Sequence, residues 1–231
     1  MKVGVVSVLL STAFAAGCKQ EVESTDIRTS GVYPVVDVTA TGSGTTRVQV
    51  KLKVGGPASN TYLELVGPDR LQATMGGTTK DMDSSGSVSY AATFSTEAAG
   101  PIVIAFLRGP DDTTAPNTTV NLPEPFTMAL DSTDVSRASG TLNVTWTPAG
   151  GGGNLDSSLS GGCVDLIVEP IPDDGAATIA GDHLHANSPN DACTVTLTLA
   201  RTQTGQVDPA FTEGGSVKAS QVRSKSFTSS P

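Results

Sequence analysis

The run Arg47-Val48-Gln49-Val50-Lys51-Leu52-Lys53-Val54 alternates four polar with four apolar residues without a break. A period of two is what a strand with one buried and one wet face requires, because successive side chains of a pleated ribbon point to opposite sides. A helix would need its apolar residues three and four apart. Just upstream, Val36, Val38 and Ala40 predict a partner strand, with Thr41-Gly42-Ser43-Gly44 as the reversal between them. Downstream, Tyr62 to Val66 and Leu71 to Met75 read as short strands joined through Gly67-Pro68-Asp69. Val88, Tyr90, Ala92 and Phe94 alternate again, Ile102 to Leu107 is a continuous apolar run suited to a central strand, and Thr118 to Leu122 closes the series.

About seven strands in some ninety residues is the spacing of an immunoglobulin-like sandwich. The segment Leu122-Pro123-Glu124-Pro125-Phe126 then breaks the pattern, since neither proline can donate to a ladder. A second series follows: Phe126 to Leu130, Thr141 to Trp146, Cys163 to Val168, Ala176 to Ala180, Cys193 to Arg201 and Ser216 to Phe227. Between its second and third strands, Ala149 to Gly162 reads as a Gly/Ser loop containing the consecutive glycines 150 to 153. A boundary there would leave Phe126 to Thr147 as a lone hairpin, which is marginal in water. The expected organisation is therefore all-β, two tandem immunoglobulin-like sandwiches over 31–123 and 124–231.

Composition agrees. Of 231 residues, 24 are Ser, 30 Thr, 25 Gly and 14 Pro, while aromatics make up 4% and charged residues 16%. That excludes a helical bundle, which draws on Leu, Ala, Glu and Lys at helical period. A formal charge of −9 weighs against nucleic acid as a partner.

The start of the chain carries an address. Lys2 is a positive n-region and Val3 to Ala16 an uncharged, mostly apolar h-region, too short for a membrane span, so residues 1–17 read as a secretory signal. Ala15-Ala16-Gly17-Cys18 resembles the lipobox of bacterial lipoproteins, with Ala15 where that family often has Leu. The resemblance implies that the Cys18 thiol takes a diacylglyceryl group, that the signal is cut after Gly17, and that the new amine is acylated. Acyl chains at about 0.8 kcal/mol per buried methylene would hold a folded domain to the bilayer. Lys19 is not the Asp that marks inner-membrane retention in that family, which implies the outer membrane, on its periplasmic side or at the cell surface. Residues 18–30, polar and unpatterned, are expected as a lipidated tether.

Leu142-Asn143-Val144-Thr145-Trp146-Thr147-Pro148 is similar to the fibronectin type III strand that carries a core Trp. Lipobox, tether and two Thr-rich β-domains together resemble secreted lipoproteins of Gram-negative bacteria, as does the run Val22 to Gly31. That resemblance implies a location and a fold class, and no activity.

With Cys18 acylated, Cys163 and Cys193 form an even pair in an oxidising compartment, and a disulfide is expected. Its reduction should lower the melting point of the second domain alone. The competing use of these thiols is a tetrahedral metal site with His183 and His185, the only histidines, which share a face if they lie two apart on a strand. Asp81-Met82-Asp83-Ser84-Ser85-Gly86-Ser87 matches the start of a calcium loop, but Ala92 stands where the bidentate carboxylate belongs, so a turn is the simpler reading. There is no Gly-x-Ser-x-Gly elbow and no phosphate-cradling loop. Carbohydrate binding wants exposed aromatics, and only Tyr33, Tyr62 and Phe211 fall outside core phases.

The sequence thus points to a non-enzymatic envelope lipoprotein without a cofactor. It would serve as a binding, adhesion or structural module whose partners are the bilayer through Cys18 and an envelope or extracellular protein. An envelope-polymer hydrolase or its accessory domain, and a periplasmic metal binder through His183 and His185, are the alternatives.

Overall fold

The structure, a computed structural model, describes residues 19–86, 88–150 and 152–231, and is all-β with three short 3-10 turns. The signal segment and Cys18 lie outside the described residues. The first ten strands are β1 (Gln20–Glu23), β2 (Val32–Ala40), β3 (Thr46–Val54), β4 (Thr61–Glu64), β5 (Arg70–Met75), β6 (Thr78–Asp81), β7 (Asp83–Ser84), β8 (Tyr90–Phe94), β9 (Gly100–Leu107) and β10 (Ala115–Leu122). Eight more follow: β11 (Thr127–Leu130), β12 (Asp134–Ser136), β13 (Thr141–Thr147), β14 (Asn154–Gly161), β15 (Val164–Pro172), β16 (Ala176–Ala180), β17 (Cys193–Thr204) and β18 (Ser216–Ser230).

Alternation decides the layers. In β3, Thr46, Val48, Val50 and Leu52 are buried while Arg47 stands in solvent. Each of these apolar side chains contributes about 1.5–3 kcal/mol by leaving water. The β2–β3 hairpin turns at Gly42 and Gly44, whose φ of 82° and 80° suit a residue without a Cβ. β9 is central, between β10 and β5, and its alternate residues Ile102, Ile104 and Phe106 are buried.

One eleven-stranded sheet has the order β1-β4-β3-β2-β18-β17-β14-β15, with β7, β8 and β12 off that path. The four-stranded sheet β10-β9-β5-β6 and the three-stranded sheet β11-β13-β16 are separate layers. Two apolar cores result. The first lobe gathers Val48, Leu52, Phe94, Ile102 and Phe106; the second gathers Phe126, Leu142, Trp146, Leu155 and Leu199. Residues 123–126 belong to no strand, as the prolines require.

Three segments depart most clearly from the order of strands expected from the sequence. Gln20 to Gly31 is not an unpatterned tether: β1 pairs in parallel with β4, two 3-10 turns follow, and Ser24 and Thr29 are buried. Its order comes from hydrogen bonds rather than apolar period. Within the expected loop Ala149–Gly162 lies β14, paired on both sides by β15 and β17. Leu155, Ser157 and Leu159 face inward along it, a strand whose period is carried partly by a serine. Finally, β18 serves both lobes. From Ser216 beside Val35 to Gln221 beside Ala40 it runs parallel to β2, and its Val217 and Ala219 join the first core, as does Phe211. Further along, Phe227 joins the second core, and β17 pairs with β18 from Cys193–Ser229 to Thr204–Lys218.

Candidate binding edge and the expected sites

β15 closes one end of the long sheet, with β14 on its inner side. Among the described residues, backbone pairing on its outer side is confined to its start, where Asp165 N–H donates to His185 O at 2.8 Å and Val164 bridges to Ala186. Opposite Leu159, Ser157 and Leu155 stand Ile167, Glu169 and Ile171. Leu166 and Val168 therefore fall on the other face, and they are 68% and 70% exposed, the two large hydrophobic residues that stand most clearly in water among those described. Pro170 and Pro172 follow, residues that an edge strand tolerates and an interior strand does not. An open backbone edge flanked by exposed aliphatic side chains can accept an added strand. The neighbouring outer face is lined with small hydroxyls, of which Thr196–Ser226 and Thr198–Ser224 pair across β17 and β18 at 3.1 and 2.9 Å.

Cys163 and Cys193 are joined in a disulfide, as expected. The bridge removes both thiolates from the four-ligand metal site. His183 and His185 also do not lie on a strand: His183 ends a 3-10 turn, because Gly181-Asp182 leaves β16 and reverses the chain. Their rings are 6.0 Å apart, and His183 Nε2 is 3.1 Å from Glu169 Oε1 in an open hollow of about 430 Å³. Among the described residues no three His, Cys, Asp or Glu side chains converge as metal ligands.

The segment from Asp81 to Ser87, read as a turn in preference to a calcium loop, carries its two aspartates on two different strands. Asp81 lies on β6, paired with β5, and Asp83 lies on β7, paired with β8 in the other sheet, with Met82 buried between them. Asp81 Oδ1 accepts from Gln72 Nε2 at 2.8 Å. Of the aromatics expected outside the core, Tyr33 and Tyr62 are half-buried, whereas Phe211 is buried and stacks on Phe106 at 6.2 Å. A hollow of about 690 Å³ opens in the first lobe around Met75, Lys80, Phe94 and Val103.

Four arginines organise the lobes. Arg108, ending the apolar run of β9, is completely buried at its side chain. Its Nη2 meets Asp112 at 2.7 Å, and its Nε lies 2.8 Å from Asp69 Oδ2, close enough for an ion pair although the angle departs from hydrogen-bond geometry. It also donates to Ser24 O, Ile27 O and Thr29 Oγ1, which fixes the residues after β1. In the second lobe, Arg201 Nε and Nη2 grip both oxygens of Asp173 at 2.6 and 2.9 Å, and Trp146 Nε1 donates to the same carboxylate at 2.7 Å. Burial pushes the Asp173 carboxyl upward, but bonds from Arg201, Trp146 and the Gly150 backbone outweigh it and hold the carboxyl below its ordinary pKa.

At the seam between the lobes, Glu97 Oε1 accepts from the N–H groups of Gly42, Ser43 and Gly44 at 2.8, 2.9 and 3.2 Å, while its Oε2 lies 3.3 Å from Arg223. Arg223 and Arg201 both lie over the Phe126 ring. The fourth, Arg137, is buried, and among the described residues its partners are neutral, including Pro189 O at 3.0 Å, Asp191 O at 2.7 Å, Ser229 Oγ at 3.0 Å and the bridge sulfur of Cys163 at 3.4 Å.

No family model and no curated protein matches the chain. Among solved structures, the D0-D1 domain of intimin is similar over 86% of this chain and 100% of that one, at 15% identity and a TM-score of 0.26. No helix long and apolar enough to cross a membrane is present among the described residues.

Proposed function

We propose that this is a lipid-anchored protein of the bacterial cell envelope, held at the outer membrane through acylated Cys18. Its two lobes present a strand edge to an envelope or extracellular protein, and no reaction is catalysed. The observation that carries the binding role is β15: an open edge with Leu166 and Val168 exposed to water. Aliphatic side chains kept in solvent beside unpaired backbone are costly unless a partner covers them. Strand addition supplies both the missing main-chain hydrogen bonds and pockets for the side chains. The anchoring role rests on Ala15-Ala16-Gly17-Cys18.

A photo-reactive residue placed at Val168 in the full chain in cells should cross-link to a discrete protein, and one at Gln49 on the opposite half of the long sheet should not. Equal, diffuse labelling from both positions would rule out a partner at the edge. Cys18→Ser should move the protein from the membrane fraction to the soluble fraction. Continued membrane attachment of that variant would end the anchoring reading.

A further inference from the structure

The surroundings of the disulfide are asymmetric. Cys163 is 2% exposed, whereas Cys193, the first residue of β17, is only partly buried. Arg137 Nη1 lies 3.4 Å from Cys163 Sγ, and the Cys163 N–H donates to Cys193 Sγ at 3.0 Å. Every hydrogen bond of the Arg137 guanidinium goes to a carbonyl, a hydroxyl or that sulfur, and among the described residues no carboxylate lies within ion-pair distance of it. A buried cation without a counter-charge favours whichever neighbour can become an anion. The neighbour able to do so is the Cys163 sulfur, once the bridge opens.

We propose that the bridge is a site of thiol–disulfide exchange, attacked at Cys193 by a thiolate from a small thiol or a dithiol protein, with Cys163 as the leaving sulfur. The incoming sulfur forms a bond to Cys193 Sγ as the Cys163–Cys193 bond breaks. The electron pair of that bond leaves on Cys163 Sγ as a thiolate facing Arg137. One thiolate and one disulfide enter and one of each remains, so charge and oxidation level balance. A better-stabilised leaving thiolate departs faster, and an adjacent arginine stabilises it. The bonds from Arg137 to Ser188, Pro189 and Asp191 carbonyls hold the segment before Cys193 while the bridge is open. The two sulfurs stay within reach of each other, and the reverse attack by Cys163 reseals the bridge and expels the captured thiol. Arg137 acts as a positioning residue.

The test treats the native full chain with glutathione at neutral pH, quenches with acid, alkylates the free thiols and maps the peptides. Glutathione should be found on Cys193 and the alkyl group on Cys163. Glutathione on Cys163, or reaction only after unfolding, would overturn the proposal. In the reduced protein, the pH dependence of alkylation should give Cys163 a pKa at least one unit below the ordinary thiol value of about 8.5. Arg137→Gln should raise it at least tenfold in proton affinity, and Arg137→Lys should keep most of the depression. Should either variant fail to fold, the wild-type titration decides alone, and a Cys163 pKa at or above the ordinary value refutes the assignment.

Discussion

In the first lobe, Arg108 is held by two carboxylates, Asp69 and Asp112, and by carbonyls of the segment after β1. In the second lobe the corresponding work is divided. Arg201 has one carboxylate, Asp173, which Trp146 shares, and Arg137 has none but sits on a covalent bridge. Both lobes bury cations to tie loops that the apolar core does not reach. The first relies on charge neutralisation with a spare partner, and the second on a single ion pair backed by a disulfide. Redundancy in one lobe and its absence in the other make opposite forecasts for the loss of any one group.

The sharpest way to break the comparison is to separate the lobes. A chain ended after Leu122 carries β1 to β10 but lacks Phe211, Val217 and Ala219 of the first core and the β18 neighbour of β2. Losing those contacts should cost more than the ~5–15 kcal/mol that keeps a typical domain folded. The fragment should show no amide dispersion by NMR; a folded fragment would mean that the lobes are independent after all.

Next in size is Asp173→Ala, which strands Arg201 and should cost about 3–5 kcal/mol in urea unfolding. Asp69→Ala leaves Arg108 with Asp112 and should cost about 1–3 kcal/mol. Equal losses would erase the contrast between a spare partner and none.

Reduction of the bridge should cost about 3 kcal/mol for a loop of this length. The β17–β18 ribbon runs through both lobes, so the melting of Trp146 fluorescence and of the tyrosine signal from Tyr33, Tyr62 and Tyr90 should fall together. A shift confined to Trp146, as the sequence alone suggests, would show that the ribbon does not couple them.

The smallest effect is on pH dependence. Since the Asp173 carboxyl is held below its unfolded value of about 3.9, its contribution is complete above that pH and is lost as pH falls through the folded pKa. Asp173→Asn, already destabilised at neutral pH, should therefore lose less further stability than the wild type between about pH 4 and pH 2 in urea titrations. Parallel losses would remove Asp173 from the acid response.

How much of this was legible depended on what carried the period. β3 is readable because Val and Leu mark its inner face, and the same holds for Val195, Leu197 and Leu199 of β17. β14 reads as a loop in the sequence because Ser157 occupies an inward position that a hydrophobic residue would have revealed. The segment after Cys18 reads as a tether because its order comes from Arg108, 81 and 84 residues away from the acceptor carbonyls of Ile27 and Ser24, which no local pattern reports. Some of the buried polar groups did leave a trace. Arg201 falls on the phase of Leu197 and Leu199, and Gln221 on the phase of Val217 and Ala219, so strict alternation places polar groups in the interior there. The exposure of Leu166 and Val168 left none, since Leu, Ile and Val in succession read equally well as a buried central strand.

The parallel pairing of β2 with β18 joins a strand near one end of the described chain to the strand at the other. Tension applied between Gln20 and Pro231 pulls β2 back from its start and β18 forward from its end. The two strands are thus asked to slide along each other, and the pairs from Val35–Ser216 to Ala40–Gln221 bear the load simultaneously instead of parting one after another. A protein tethered at one end and gripped at the other would have its yield point here, at a seam already riveted by Arg223 and Glu97.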